Sequence, residues 1–76
     1  MMNEAKKTND TLGDALPRKM ARVRDVVMPE YIEIGASGRF ALALMRKSLD
    51  DAARAMAEGD LPGMIMAYED LKGYEI

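Results

Sequence analysis

With 76 residues, a net charge of −2, no cysteine and no histidine, the chain is confined to one small domain without a disulfide staple or the usual zinc, iron and copper ligands. A domain this small buries only about 60% of the surface its unfolded chain exposes, so self-association is the remaining way to add core. Three Tyr, one Phe and no Trp leave few large rings for that core, and eight Met take their place.

Residues 1–13 are polar, lack periodicity and end in Gly13, which predicts a disordered tail ahead of a single helical domain over 14–76. The N-terminus has no apolar stretch of signal-peptide length, and no segment approaches the roughly 18 apolar residues of a membrane span. With cysteine also absent, the expectation is a soluble cytoplasmic protein with no membrane contact.

A first helix is predicted over 17–28. Pro17 suits an opening turn because its fixed φ is already helical, and Asp14 stands ready to cap. Leu16, Met20, Val23 and Val27 follow the spacing of one helical face, with Arg18, Lys19 and Arg22 on another. Pro29 biases Met28 away from the helical region and closes the element. Arg18, Lys19, Arg22 and Arg24 outweigh Asp25, so this is a basic element on an acidic body. Glu30 to Gly35 stays open: Tyr31, Ile32 and Ile34 favour an extended segment, whereas Pro29 and Glu30 fit a helical first turn.

The second helix is predicted over 37–58 with Ser37 as N-cap. Ala41, Leu44, Met45, Ser48, Leu49, Ala52, Ala55 and Met56 share one half of its wheel. Arg46, Asp50, Arg54 and Glu58, each four apart on the other half, make an alternating-sign ladder. Gly59 takes the left-handed conformation that ends this helix. Asp60 caps the third helix, over 61–72, with Pro62 tolerated in its first turn. Leu61, Met64, Ile65, Tyr68 and Leu71 form its buried stripe, and the short connection makes the two helices antiparallel neighbours.

Ala57-Glu58-Gly59-Asp60-Leu61, with Ile65, Tyr68 and Leu71, resembles the inter-helix turn and second helix of a tetratricopeptide unit. No repeat at a period of 34 accompanies it, so the resemblance implies a helical hairpin and not an array. Ile34-Gly35-Ala36-Ser37-Gly38-Arg39 resembles the G-x-x-G loop of a KH domain, but that fold continues into strands where this chain is helical in pattern. Ala21-Arg22-Val23-Arg24 is similar to the strand of a ribbon-helix-helix repressor, yet only Pro29 to Ile34 would remain for that fold's first helix.

Three candidate sites stand beside simpler readings. Ser37, Gly38 and Arg39 form a candidate anion nest, or a turn with an N-cap. Arg18, Lys19, Arg22 and Arg24 are candidate nucleic-acid contacts, although four cations on an acidic chain fall short of a free-standing binder's basic footprint. Met20, Met28, Met45, Met56, Met64 and Met66 suit an adaptable partner surface or an aromatic-poor core.

Catalysis would fall to Asp50, Asp51, Glu58 or Asp60, each with a capping or ion-pair role at a surface position. Glu30 and Glu33 lie three apart, but two carboxylates alone make a poor metal site. The reading is an all-α, three-helix domain without cofactor, metal or catalytic residues. It is expected to act as a homo-oligomeric protein-interaction or regulatory module of bacterial or phage type, through Met45, Leu49, Ala52, Met56, Ile65 and Tyr68. The alternative is a nucleic-acid-binding regulator using the basic helix over 17–24.

Overall fold

The computed structural model describes residues 11–74, and they contain helices and turns but no strand. The all-α expectation therefore holds, while several element boundaries differ from those predicted. The expected tail falls largely on residues 1–10, outside the described residues.

Helix α1 (Leu12–Arg22) begins well before Pro17, so Leu12 and Gly13 belong to its first turn and Pro17 lies in its interior. The Thr11 carbonyl accepts the N–H groups of Asp14 (3.0 Å) and Ala15 (2.7 Å), and the Thr11 hydroxyl donates to Asp14 Oδ2 (3.2 Å). Asp14 thus joins the opening turn instead of capping a later one. Pro17 cannot donate to the Gly13 carbonyl, but Gly13 is exposed and water can take that role.

Pro29 does not end the first helical run. A π turn (Val23–Val27) connects α1 to α2 (Met28–Ile34), so helical backbone passes through the proline. In a regular helix the Pro29 ring would collide with the Asp25 carbonyl and leave it without a donor. Here the Met28 N–H reaches back five residues to Val23, and the widened turn delivers Pro29 into the opening turn of α2, where no N–H is needed. The segment left open over 30–34 is accordingly helical.

The run stops at Gly35, whose φ of 85° and ψ of −139° suit glycine alone. A 3-10 turn (Gly35–Gly38) then leads into α3 (Arg39–Glu58). Gly38, not Ser37, is the residue at the N-cap, and no side chain caps this end. The Arg39 N–H is already bonded to the Ala36 carbonyl, so the exposed Ser37 hydroxyl has no capping role. Gly38 is buried against the Tyr31 carbonyl, where a Cβ would collide with the oxygen.

Gly59, at φ 66° and ψ 29°, closes α3 in the left-handed region, with its N–H on Met56 and that of Asp60 on Ala55 (2.9 Å). Helix α4 (Leu61–Lys72) follows, and Asp60 Oδ1 accepts the Gly63 N–H at 3.1 Å as its N-cap. Ala55 neighbours Gly63 beside the turn, and Ser48 meets Tyr74 at the far end, so α3 and α4 run antiparallel.

The core draws Leu16, Val23, Val27 and Met28 from the first run, Leu42, Met45, Ala52 and Ala55 from α3, and Met64, Ala67 and Leu71 from α4. Fully burying a side chain such as Leu16 or Leu71 contributes about 1.5–3 kcal/mol. Two details depart from the predicted stripes. On α3, Leu42 is buried and Leu44 is 42% exposed; on α4, Ala67 faces inward while Leu61 and Ile65 face outward. Helix α4 lies against both α3 and α1, whereas α2 packs on the beginning of α3. With 12 residues against 20, α4 covers only part of α3.

Candidate functional site

The six residues expected to carry association divide between the inside and the outside of the chain. Met45 and Ala52 are buried in its own core, covered by neighbouring helices, and so are closed to a partner. Leu49, Met56 and Tyr68 are half-buried against that core, and Ile65 is 52% exposed. The apolar half of the second predicted helix is thus largely satisfied by α1, α2 and α4, because the first helical run is longer than expected.

A different apolar surface is left open. Phe40 is 77% exposed and Leu44 42% on α3, while Ile34 on α2 is 56% and Val26 on the π turn 41% exposed. Helix α4 marks the two flanks that these residues extend. On one flank it shares a hollow with Ala15, Arg18, Lys19 and Arg22 of α1 through Tyr68. On the other it borders Asp51, Arg54, Ala55 and Glu58 of α3. Past Arg22, Val26, Glu30 and Ile34 continue the first flank at four-residue steps, which the widened π turn keeps in line. Leu44 and Phe40 precede Asp51 by seven and eleven residues, continuing the second flank along one helical row. Helix α4 ends beside Ser48, short of Leu44 and Phe40.

Glu30 and Glu33 are exposed on α2, which has no basic residue. On α3, Lys47 shares the Phe40 and Leu44 row and bonds Asp51 Oδ2 at 3.0 Å, while Arg54 reaches Asp51 Oδ1 at 3.2 Å. The hydrogen bond from Lys47, and after it that from Arg54, holds the Asp51 carboxyl below the ordinary aspartate range. These three residues replace the predicted ladder, since Asp51, between cations four residues before and three after, takes Arg54 from Asp50 and Glu58. Asp51 and Arg54 lie beside α4, where Glu58, Asp60 and Asp70 line the same groove, so Lys47 is the cation this row carries past the end of α4, and it is paired with Asp51.

The basic residues of α1 and the π turn are differently engaged. Lys19 lies over the Tyr68 ring, 5.7 Å from its centroid, and Arg24 is bonded to Asp25 at 2.9 Å. That bond raises the Arg24 pKa and lowers that of Asp25. Arg18 and Arg22 line the hollow with Tyr68.

The candidate nest is a packed corner: Gly38 is buried, Ser37 and Arg39 are exposed, and the Arg39 N–H is spent on Ala36. Between α3 and α4 a groove of about 450 Å³ is floored by Ala55, Gly63 and Ala67 and edged by Asp51, Glu58, Asp60, Asp70 and the exposed Met66. Of the carboxylates considered for proton transfer, Asp51 is ion-paired and Asp60 caps α4. Among the described residues no group of three or more acidic side chains is placed to hold a metal ion. No described helix is long and apolar enough to cross a membrane.

Sequence reasoning passed over Phe40 and placed Leu44 on the buried half of the wheel. A signal was present in Phe40, Leu44, Lys47 and Asp51, whose steps of four, three and four mark a helical seam beside the core face. No protein-family model matches the chain, and neither a curated protein nor a solved structure is significantly similar to it.

Proposed function

We propose that this chain is a non-enzymatic protein-interaction module, with its three-helix arrangement as the working unit and self-association as its mode of action. One observation carries the reading: Phe40, the chain's single phenylalanine, is 77% exposed beside Leu44 at an end where α4 has run out. Single exposed apolar residues are ordinary, but Phe40 and Leu44 are four apart on one helical row and both exposed. A large exposed ring one helical turn from an exposed leucine suits the centre of a protein interface. The small size of the domain points the same way, since association adds core that one copy lacks.

Binding of nucleic acid through Arg18, Lys19, Arg22 and Arg24 is the weaker alternative. Lys19 is held over Tyr68 and Arg24 by Asp25, which reduces the charge this face offers to phosphate. Light scattering across a dilution series tests the proposal, with Phe40→Asp and Leu44→Asp beside the native chain. A concentration-dependent mass that both substitutions reduce to that of one chain supports it. A native chain that stays folded and monomeric at every concentration refutes self-association.

A further inference from the structure

The groove between α3 and α4 lies on the flank of α4 away from the hollow that α4 shares with α1. Its floor of Ala55, Gly63 and Ala67 is shallow, because the helices approach so closely there that a Cβ at Gly63 would lie 3.3 Å from that of Ala55. Met66, 73% exposed, adds an adaptable apolar lip. The walls carry four carboxylates against the single guanidinium of Arg54. Arg54 and Lys47 are both bonded to Asp51, and Asp60 accepts the Gly63 N–H. The side chains of Glu58 and Asp70 are left with no ion pair or hydrogen bond among the described residues. We infer that this groove docks a short basic amphipathic helix of a partner protein, with one apolar side chain on the floor and cations meeting Glu58 and Asp70.

Charge and spacing together select that occupant. An anionic partner would be repelled by the walls, and a neutral helix would take Glu58 and Asp70 out of water without giving either a counter-charge. A cationic partner supplies both. No group of three or more acidic side chains among the described residues is placed to hold a metal ion, so the match is an extended cationic surface and not a single ion. The antiparallel pairing that sets Ala55 beside Gly63 and Ser48 beside Tyr74 puts Glu58 at the turn end of the groove and Asp70 at the other, toward Asp51. At 1.5 Å per residue the two lie about 10 Å apart along the helices, a length that two helical turns span. Lys or Arg seven residues apart, with an apolar residue midway, therefore reaches both carboxylates and the floor from one face of a helix. The groove is at the opposite end of α3 from Phe40 and Leu44, so docking there does not depend on the proposed self-association.

An NMR titration of the isotope-labelled full chain tests the inference, with a capped alanine-based helical peptide that carries two lysines seven residues apart and a leucine midway as the probe. Amide shifts are expected at Ala55, Glu58, Gly63 and Ala67. The doubly substituted Glu58→Gln, Asp70→Asn chain should bind the peptide about fivefold more weakly, as two exposed pairs are lost. Glu30→Gln with Glu33→Gln removes the same charge from α2, outside the groove, and should leave the affinity unchanged. Both pairs of substitutions keep the size of exposed side chains, so each variant retains the fold. Equal weakening by the two pairs would show attraction to net charge alone and overturn the inference. So would a peptide that fails to bind, or one whose shifts fall at Phe40 or on α1. Shifts at the groove amides on concentrating the native chain without peptide would make a second copy the occupant, which also overturns it.

Discussion

The hydroxyl of Ser48 lies 3.0 Å from that of Tyr74, joining the middle of α3 to the residue just beyond α4 across 26 positions of sequence. Ser48 is the one buried polar residue of the described core, and this bond is what makes its burial tolerable. Tyr74→Phe keeps the ring and removes the partner. It is expected to cost about 0.5–1.5 kcal/mol in urea unfolding, toward the low end because a serine within a helix can turn to a carbonyl of the preceding turn. Ser48→Ala in the Tyr74→Phe background should cost much less than Ser48→Ala alone, since the pair is then already broken.

The α3–α4 turn is readable from sequence because its chemistry is local. Gly59 supplies the positive φ and Asp60 the cap, and both act within a few residues. The course of the first helical run was not readable in the same way. Pro29 ordinarily signals a stop, and only the change of hydrogen-bond register at Met28 lets helix continue past it. Once α2 is helical, it covers the start of α3, and Met45 becomes core instead of interface. The open surface at Phe40 likewise depends on where α4 ends relative to α3, a relation between distant segments that helical periodicity cannot supply.

The corner between α2 and α3 should be the part of the chain least tolerant of small substitutions. At Gly38 a methyl group would meet the Tyr31 carbonyl, and neither backbone can move aside without disturbing the packing of α2 on α3. Gly38→Ala is therefore expected to destabilise by about 1–3 kcal/mol. Gly35→Ala has open space but the wrong φ, and should cost a similar ~1–3 kcal/mol through strain. Gly13→Ala is the control: it sits in the first turn of α1 with only an ordinary 3.6 Å approach to Thr11, and is expected to be neutral or stabilising. Denaturation midpoints of the three variants rank them directly.

Acid should loosen the middle of α3 in a defined direction. The Asp51 carboxyl is held low by the Lys47 hydrogen bond first and by Arg54 second. Its contribution is therefore complete above the unfolded aspartate value of about 3.9 and is lost as the pH falls through the lower folded value. The side chains are well exposed, so the effect is modest and screened by salt. A carboxyl-resolved NMR titration should place the Asp51 midpoint below the ordinary aspartate range, and Lys47→Ala should move it upward. A midpoint unchanged by Lys47→Ala would contradict the pairing.

Gly63 and Asp60 are expected to act as one unit. A Cβ at Gly63 would strike the Asp60 carboxylate and approach Ala55 Cβ at 3.3 Å. Gly63→Ala therefore forces the carboxylate out of the position from which it accepts the Gly63 N–H, and alanine's better helix propensity is set against loss of the cap. Asp60→Ala alone should cost about 1 kcal/mol. In its presence Gly63→Ala has no cap to displace, and only the tight contact with Ala55 opposes the propensity gain of about 1 kcal/mol. The second substitution should thus be markedly less harmful in the Asp60→Ala background than in the native chain. Additive costs in a double-mutant cycle would mean that the cap and the glycine are independent.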